Sequence, residues 1–447
     1  MKQGELAELV VLDKSKQIFE SICKFVPGGV HSNVRCIDPH PIYFSRAKGS
    51  RIWDVDGNEY TDYCVNYGTC ILGHAHPRVV SAVREQLEIG LTCGVETELA
   101  AKVAKKVADI IPCAENVRFS NTGTEAMMHA VRIARGYTKK SKIIKVEGGN
   151  HGWCDDLLVS VKNFNPGQAG PRDRPTPVPA SEGVRKNVIE DTIVVPYNDA
   201  ASTEKIIKEN RNDVAALIIE PVLFSLGCVL PKEGYLKAIR DITLEMGVVL
   251  IFDEIITGFR LAPGGAQEFY SVTPDMAVFG KAIANGFPLS VVTGAEDLIN
   301  VSAPKTHRVG YGGTFNGHQI SMAAASASLE ELTSGKVQTH LANFTKELQK
   351  TFDSTVKELG IDGKLQGIGG EFQVYFTDHD IEDYRTAYTA NKAVFTSFQE
   401  KLFNMGFYFL PSYLFHHGIS FAHDEKDLRR LSDGMRTALE ELCVAQA

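Results

Sequence analysis

The chain has 447 residues, 44% hydrophobic and 23% charged, which suits a folded protein of roughly two domains and excludes wholesale disorder. A net charge of -8 and a pI near 5.9 argue against a nucleic-acid partner. The opening MKQGELAELVVLDKSK lacks the apolar core of a secretory signal, no stretch is apolar enough for a membrane span, and nine cysteines without a C-x-x-C pair read as thiols of a reducing cytoplasm.

Ile18, Ile22, Phe25 and Val26 share one helical face, and Pro27-Gly28-Gly29 stops that helix. Short strands follow in PIYFSRA and SRIWDVDG, the second closed by the turn Asp56-Gly57. From about Pro77 short apolar runs, many of them β-branched, alternate with amphipathic stretches. The runs are NVRFS, KIIKVEG, TIVVPY, AALIIEPV, VVLIFDEI, MAVFGKA and SVVTGA. They read as buried strands of a parallel sheet, with EAMMHAVRIARGYT and GYLKAIRDITLEMG as crossover helices. The expected fold class is therefore α/β, with a mostly parallel sheet flanked by helices in a large domain over 77–334.

Lys162 to Val188 breaks the rhythm with five prolines and three glycines. It is either a surface loop or the lid or wall of an active site. After about Gly335 a helix, NFTKELQKTFDSTVKELG, leads to a strand, GEFQVYFT, and a further helix. The short strand FYFLP and a last helix complete an α+β unit over 335–447. This unit is expected to form the small domain together with 1–76.

Phe119 to Ala126, FSNTGTEA, lies between a strand and a helix. Gly123 permits a tight turn, Thr122 and Thr124 carry hydroxyls, and the helix start offers free N–H groups. That is an anion site, or else only a capped helix of the Thr-x-x-Glu kind. VVLIFDEI ends in Asp253-Glu254, and the C-terminal end of a parallel strand faces the usual ligand crevice. Asp253 there suits a metal, a ribose hydroxyl, a protonated ring nitrogen or a helix cap. Lys281 sits between an apolar run and the turn Asn285-Gly286. Desolvation there makes its amine a nucleophile for a Schiff base, unless it snorkels to the surface. A phosphate cradle, an acid for a ring nitrogen and a nucleophilic lysine are the parts that hold pyridoxal phosphate. No metal site is expected.

The chain resembles the class III aminotransferases of pyridoxal-phosphate fold type I. Within that class it resembles most the glutamate-1-semialdehyde aminomutase branch and the amino-acid transaminases close to it. The likeness runs through VPGGVHSNVR, WDVDGNEYTDY, LGHAHP, NTGTEA, NHG, IIEPV, LIFDEIITGFR, FGKAIANGFP and GGTFNG. It implies pyridoxal 5'-phosphate as cofactor. It implies that Lys281 forms the Schiff base and carries protons, and that Asp253 keeps the pyridinium nitrogen protonated. Gly123 and Thr124 would bind phosphate, and Glu220 would order polar groups beside the ring. Thr314 would reach the phosphate of the other subunit, which implies a homodimer with shared sites. Arg35 would grip a substrate carboxylate.

The pattern also departs from that branch. Asn150 stands where an aromatic ring usually stacks on the cofactor, and Trp153 is the nearby ring that could compensate. After IIEPV the run is Leu223-Phe224-Ser225, leaving Ser225 as the only polar substitute for a Gln or Asn. Phe415 falls where the aminomutase pattern has a Glu, so a second ammonium would find no partner there. Trp153 and Phe415 join Arg35 as expected substrate contacts. The expected reaction is transfer of an amino group between an amino acid, β- or other non-α forms included, and a keto acid. The alternative is an isomerase on the same cofactor, either a glutamate-1-semialdehyde 2,1-aminomutase or an amino-acid epimerase. An NAD-dependent oxidoreductase is more distant, because no G-x-G-x-x-G follows the first strand of the sheet.

Overall fold

The seven apolar runs form one sheet in a computed structural model that describes residues 10–162 and 164–446. In chain order the strands are β1 (Asn116–Ser120), β2 (Lys142–Val146), β3 (Thr192–Val195), β4 (Val214–Ile219), β5 (Val249–Glu254), β6 (Met276–Phe279) and β7 (Ser290–Gly294). Their spatial order is β1-β7-β6-β5-β4-β2-β3. Only β7 runs antiparallel, against β1 on one side and β6 on the other. Every residue of β4 and β5 is buried, which is why these strands read as unbroken apolar runs. The helices Gly123–Thr138 and Tyr235–Met246 are the expected crossovers. In register, Asp253 of β5 pairs with Val278 of β6. The C-terminal ends of these neighbours therefore bring Asp253 and Lys281 to the same rim of the sheet.

Strands Phe44–Lys48, Arg51–Asp54 and Glu59–Asp62 form an antiparallel meander. Phe407–Tyr408, from the far end of the chain, adds to its edge in parallel with Glu59–Asp62. Arg51 Nη2 reaches Asp427 at 2.6 Å and fastens the last helix to this sheet. A second small sheet holds Lys364–Ile368, Glu371–Tyr375 and His417–Gly418.

The first helix, Asp13–Ile22, stops short of the expected apolar face. Phe25 is exposed and Val26 is extended, because Lys24 and Phe25 close tight turns onto Ser21 and Ile22 instead of continuing the helix. The opening residues 1–9, read as carrying no leader, lie outside the described residues, as does Asn163 of the proline-rich segment. Among the described residues no helix is long and apolar enough to cross a membrane. All nine cysteines are free.

Candidate active site

A cavity of about 390 Å³ opens at the C-terminal rim of β5 and β6. Gly123, Thr124, Asn150, Glu220, Asp253 and Lys281 all line it, and so do Trp153 and Phe415. Asp253 sits on the floor. Its Oδ2 lies 2.7 Å from His151 Nδ1, and its Oδ1 accepts from Ile255 N at 3.1 Å. Lys281 follows β6 with a backbone φ of 43°, a left-handed conformation that lifts its side chain off the strand direction. Burial pushes its amine down to about 8, against the attraction of Glu371 and with Arg260 adding to the shift.

The start of helix Gly123–Thr138 combines both readings of the sequence. Thr122 Oγ1 accepts from Glu125 N at 3.2 Å, and the Glu125 carboxylate accepts in return from the N–H groups of Thr122 and Asn121, so a capping box is present. The box leaves the N–H groups of Gly123 and Thr124 without acceptors among the described residues. Both residues line the cavity, where an anion would satisfy them. A methyl built on Gly123 would come within 2.6 Å of Ile255 Cδ1, so the backbone approach is as close as the packing allows. Thr124 Oγ1 accepts from Trp153 N at 3.2 Å and keeps its own hydrogen to donate.

Glu220 ends β4 one strand away. It accepts from the backbone N–H of Ser225 at 3.0 Å and from the Ser225 hydroxyl, whose oxygen accepts in turn from Asn150 N at 3.2 Å. Burial raises the Glu220 carboxyl above its ordinary value, and the nearby Asp253 raises it further. The Asn150 side chain is occupied locally, with Oδ1 accepting from Gly152 N at 3.2 Å.

Two expected residues lie elsewhere. Thr314 is exposed and lines a separate cavity of about 680 Å³ with Gly312 and Gly313. Arg35 is exposed beside the Tyr67 phenol and lines neither that cavity nor the one around Lys281. Tyr67 meets Phe415 edge-on, with ring centroids 5.6 Å apart.

Several residues at the site carry no strong signal in the sequence. His151 stands in the quoted NHG run, but its pairing with Asp253 depends on the order of the strands. Arg260, Glu371 and His416, whose ring stacks on Phe415, form a buried polar group, each no more than 1% exposed. Arg260 Nη1 lies 2.9 Å from Glu371 Oε1, and His416 Nδ1 lies 2.6 Å from Oε2. Burial alone would raise the Glu371 carboxyl, yet Arg260 and His416 hold it below its ordinary value. Lys162, at the start of the proline-rich segment, points its amine into the cavity wall. A lone cation after the apolar run LLVSV was the one available hint.

The proline-rich segment does form a wall. It lines an adjoining cavity of about 680 Å³ that shares Asn150, Trp153 and Lys162 with the first. The donor set of the first cavity fits pyridoxal phosphate: unpaired backbone N–H groups for the phosphate, a fixed carboxylate for the ring nitrogen, and a desolvated amine.

Comparison with known proteins agrees. A family model described as "Aminotransferase class-III" matches residues 34–410. The glutamate-1-semialdehyde 2,1-aminomutase of Methanosphaera stadtmanae is 40% identical over 438 residues, covering 96% of this chain and 99% of that protein. An omega-transaminase from Sphaerobacter thermophilus superposes with a TM-score of 0.91 at 32% identity, covering 95% of this chain and 97% of that one. A transaminase solved with pyridoxal phosphate bound superposes with a TM-score of 0.89 at 27% identity, over 98% and 99% of the two chains. Pyridoxal phosphate is the cofactor, and the fold is that of type I enzymes using it. The aminomutase relatives back the isomerase alternative better than the aminotransferase expected from the sequence.

Proposed function

The chain belongs to the class-III aminotransferase family, and on that premise we propose that it moves an amino group within one substrate molecule, as an isomerase of the glutamate-1-semialdehyde aminomutase kind. The observation that carries this reading is the nearly end-to-end similarity to a curated aminomutase at 40% identity.

The residues of the cavity divide the work. Gly123 and Thr124 would hold the cofactor's phosphate, Asp253 its ring nitrogen and Lys281 its reactive carbon. When bound, pyridoxal phosphate supplies an electron sink next to the substrate's amine. Lys281 carries the proton, taking it from the substrate carbon and returning it at a neighbouring position. An amine with a pKa of about 8 is suited to this, since it gains and loses a proton near neutral pH. Asp253 would pair with the cofactor's ring nitrogen, and His151 fixes the direction of that carboxylate. Glu220, Ser225 and Asn150 form a polar chain along one edge. Phe415 and Trp153 form part of the wall on the substrate side. In this reading two copies of the chain share their sites, which gives Thr314 a role in the cavity of the second copy.

One feature favours a second reading, an aminotransferase acting on an amino acid and a keto acid. Phe415 presents an apolar ring to the cavity with the Lys162 amine 3.8 Å from its centre, so a second substrate ammonium on that side would meet another amine and a ring in place of a carboxylate. Pure holoenzyme with glutamate-1-semialdehyde and no amino acceptor separates the two. Efficient formation of 5-aminolevulinate supports the isomerase. Turnover that appears only when an amino donor and a keto acid are both supplied overturns it in favour of the transferase.

A further inference from the structure

Lys162, its side chain half-buried, puts a second amine in the wall of this site, and neither reading above gives it a part in binding substrate. Its Nζ donates to Leu414 O at 2.8 Å and lies 3.8 Å from the centre of the Phe415 ring. An ammonium has three hydrogens to donate, and a single carbonyl takes one. No carboxylate pairs with it among the described residues, although a buried cation without a counter-charge is costly. Burial accordingly pushes its amine down to about 7, with Glu220 attracting the charge and Lys281 repelling it.

Its position is as distinctive as its lack of a partner. Lys162 lines both the cavity around Lys281 and the adjoining cavity of about 680 Å³, and so stands at their junction. The second cavity is walled by Leu158, Val161 and Phe164 together with the polar side chains of Asn165, Gln168 and Ser181, so a chain with polar substituents can enter it. Arg35, expected to take the carboxylate, is exposed and lines neither of these two cavities.

We propose that Lys162 binds a carboxylate of the substrate at the junction of the two cavities. The substrate class is an amino acid, or its oxo counterpart, whose carbon chain reaches from the cavity around Lys281 to the Lys162 amine. The inference rests on the cofactor-dependent reading above and holds for the isomerase and the transferase alike. Lys162 is then a specificity residue. Phe415 and the Leu414 carbonyl keep its amine aimed while the site is empty of substrate, and the incoming carboxylate supplies the missing counter-charge.

The test is a calorimetric titration of holoenzyme with the five-carbon acid pentanoate and its neutral isostere pentanamide. Wild type is compared with Lys162→Met, Lys162→Arg and Arg35→Ala. The visible cofactor band, recorded first, reports on the underlying reading. A wild-type protein that never shows the band fails that reading, before any titration bears on Lys162. With the band present, wild type should prefer the acid, and Lys162→Met should lose about tenfold of that preference with little change for the amide. Lys162→Arg should restore most of it, and Arg35→Ala should disturb it less than Lys162→Met does. A wild type without preference for the acid overturns the proposal. So does a Lys162→Met protein that keeps the preference, or one that loses acid and amide equally, since the latter marks a clamp on Leu414 and Phe415 only.

Discussion

His151 and Asp253, 102 residues apart in sequence, meet at 2.7 Å with both side chains buried. His151 belongs to the loop after β2 and Asp253 to the end of β5, with β4 between these strands in the sheet. The pair leaves His151 Nε2 without a partner among the described residues and turns the carboxylate toward the cavity in one orientation.

Asp253→Asn should lower turnover far more than it lowers cofactor occupancy. The amide keeps the shape and loses the charge beneath the ring nitrogen, and each ~1.4 kcal/mol of lost transition-state stabilisation is about tenfold in rate. We expect a fall of about a hundredfold or more in kcat. Steady-state kinetics beside an absorbance measurement of bound cofactor checks this. A variant within a few-fold of wild type would remove Asp253 from the role assigned to it.

Lys281→Ala should abolish turnover and the borohydride-sensitive visible band while leaving the melting temperature near that of cofactor-free wild type. In wild type, the neutral amine is the reactive form. Burial lowers its pKa to about 8, so the neutral fraction rises as pH rises through that value. Reloading of cofactor-free protein should therefore speed up with pH to a plateau with its midpoint near 8. Stopped-flow absorbance over a pH series measures it; a midpoint near 10.5, the value of an ordinary lysine, would contradict the desolvated setting.

Glu371→Gln should destabilise the fold by about 3–5 kcal/mol, because Arg260 and His416 lose their shared buried carboxylate. Denaturant unfolding reports the loss. The same group gives a pH signature. Its carboxyl titrates below its ordinary 4.5 in the folded state, so its stabilisation is complete above that value and is lost as pH falls through the folded one. The stability gap between wild type and variant should therefore close in acid and persist at neutral pH.

Gly152→Ala should weaken cofactor retention and cost about 1–3 kcal/mol of stability. Its φ of 105° is strained for any other residue, and a methyl there would sit 2.8 Å from Thr124 Oγ1, beside the phosphate cradle. Dialysis against cofactor-free buffer and a denaturation curve follow the two effects. Unchanged retention would separate the His151–Trp153 loop from the cradle.

The sheet and the two central side chains were legible because the apolar runs are buried strands, wholly so in β4, β5, β6 and β7. Asp253 and Lys281 stand at the ends of two such runs. What escaped depends on strand order or on distant loops: the hydrogen bond from His151, the Arg260–Glu371–His416 group, and the Lys162 amine over Phe415. The apolar nature of Phe415 was legible, but the cation above it was not, since Lys162 lies 252 residues from the Leu414 carbonyl that holds it. Reading that one position as a mark of transamination also weighed a single side chain against a likeness spread over the whole chain. Thr314 and Arg35 were legible as motifs, yet within one chain neither reaches the cavity around Lys281.

The meander at the N-terminal end receives its last strand from Phe407–Tyr408. During synthesis, the ribosome must therefore make nearly the whole chain before that sheet is complete. Until then the edge of Glu59–Asp62 displays unpaired backbone groups, and a growing polypeptide in that state is a template for pairing with its neighbours. Translation that stalls or terminates before Phe407 leaves this edge open for good, so prematurely ended chains of this protein should be cleared or aggregate while full-length chains accumulate.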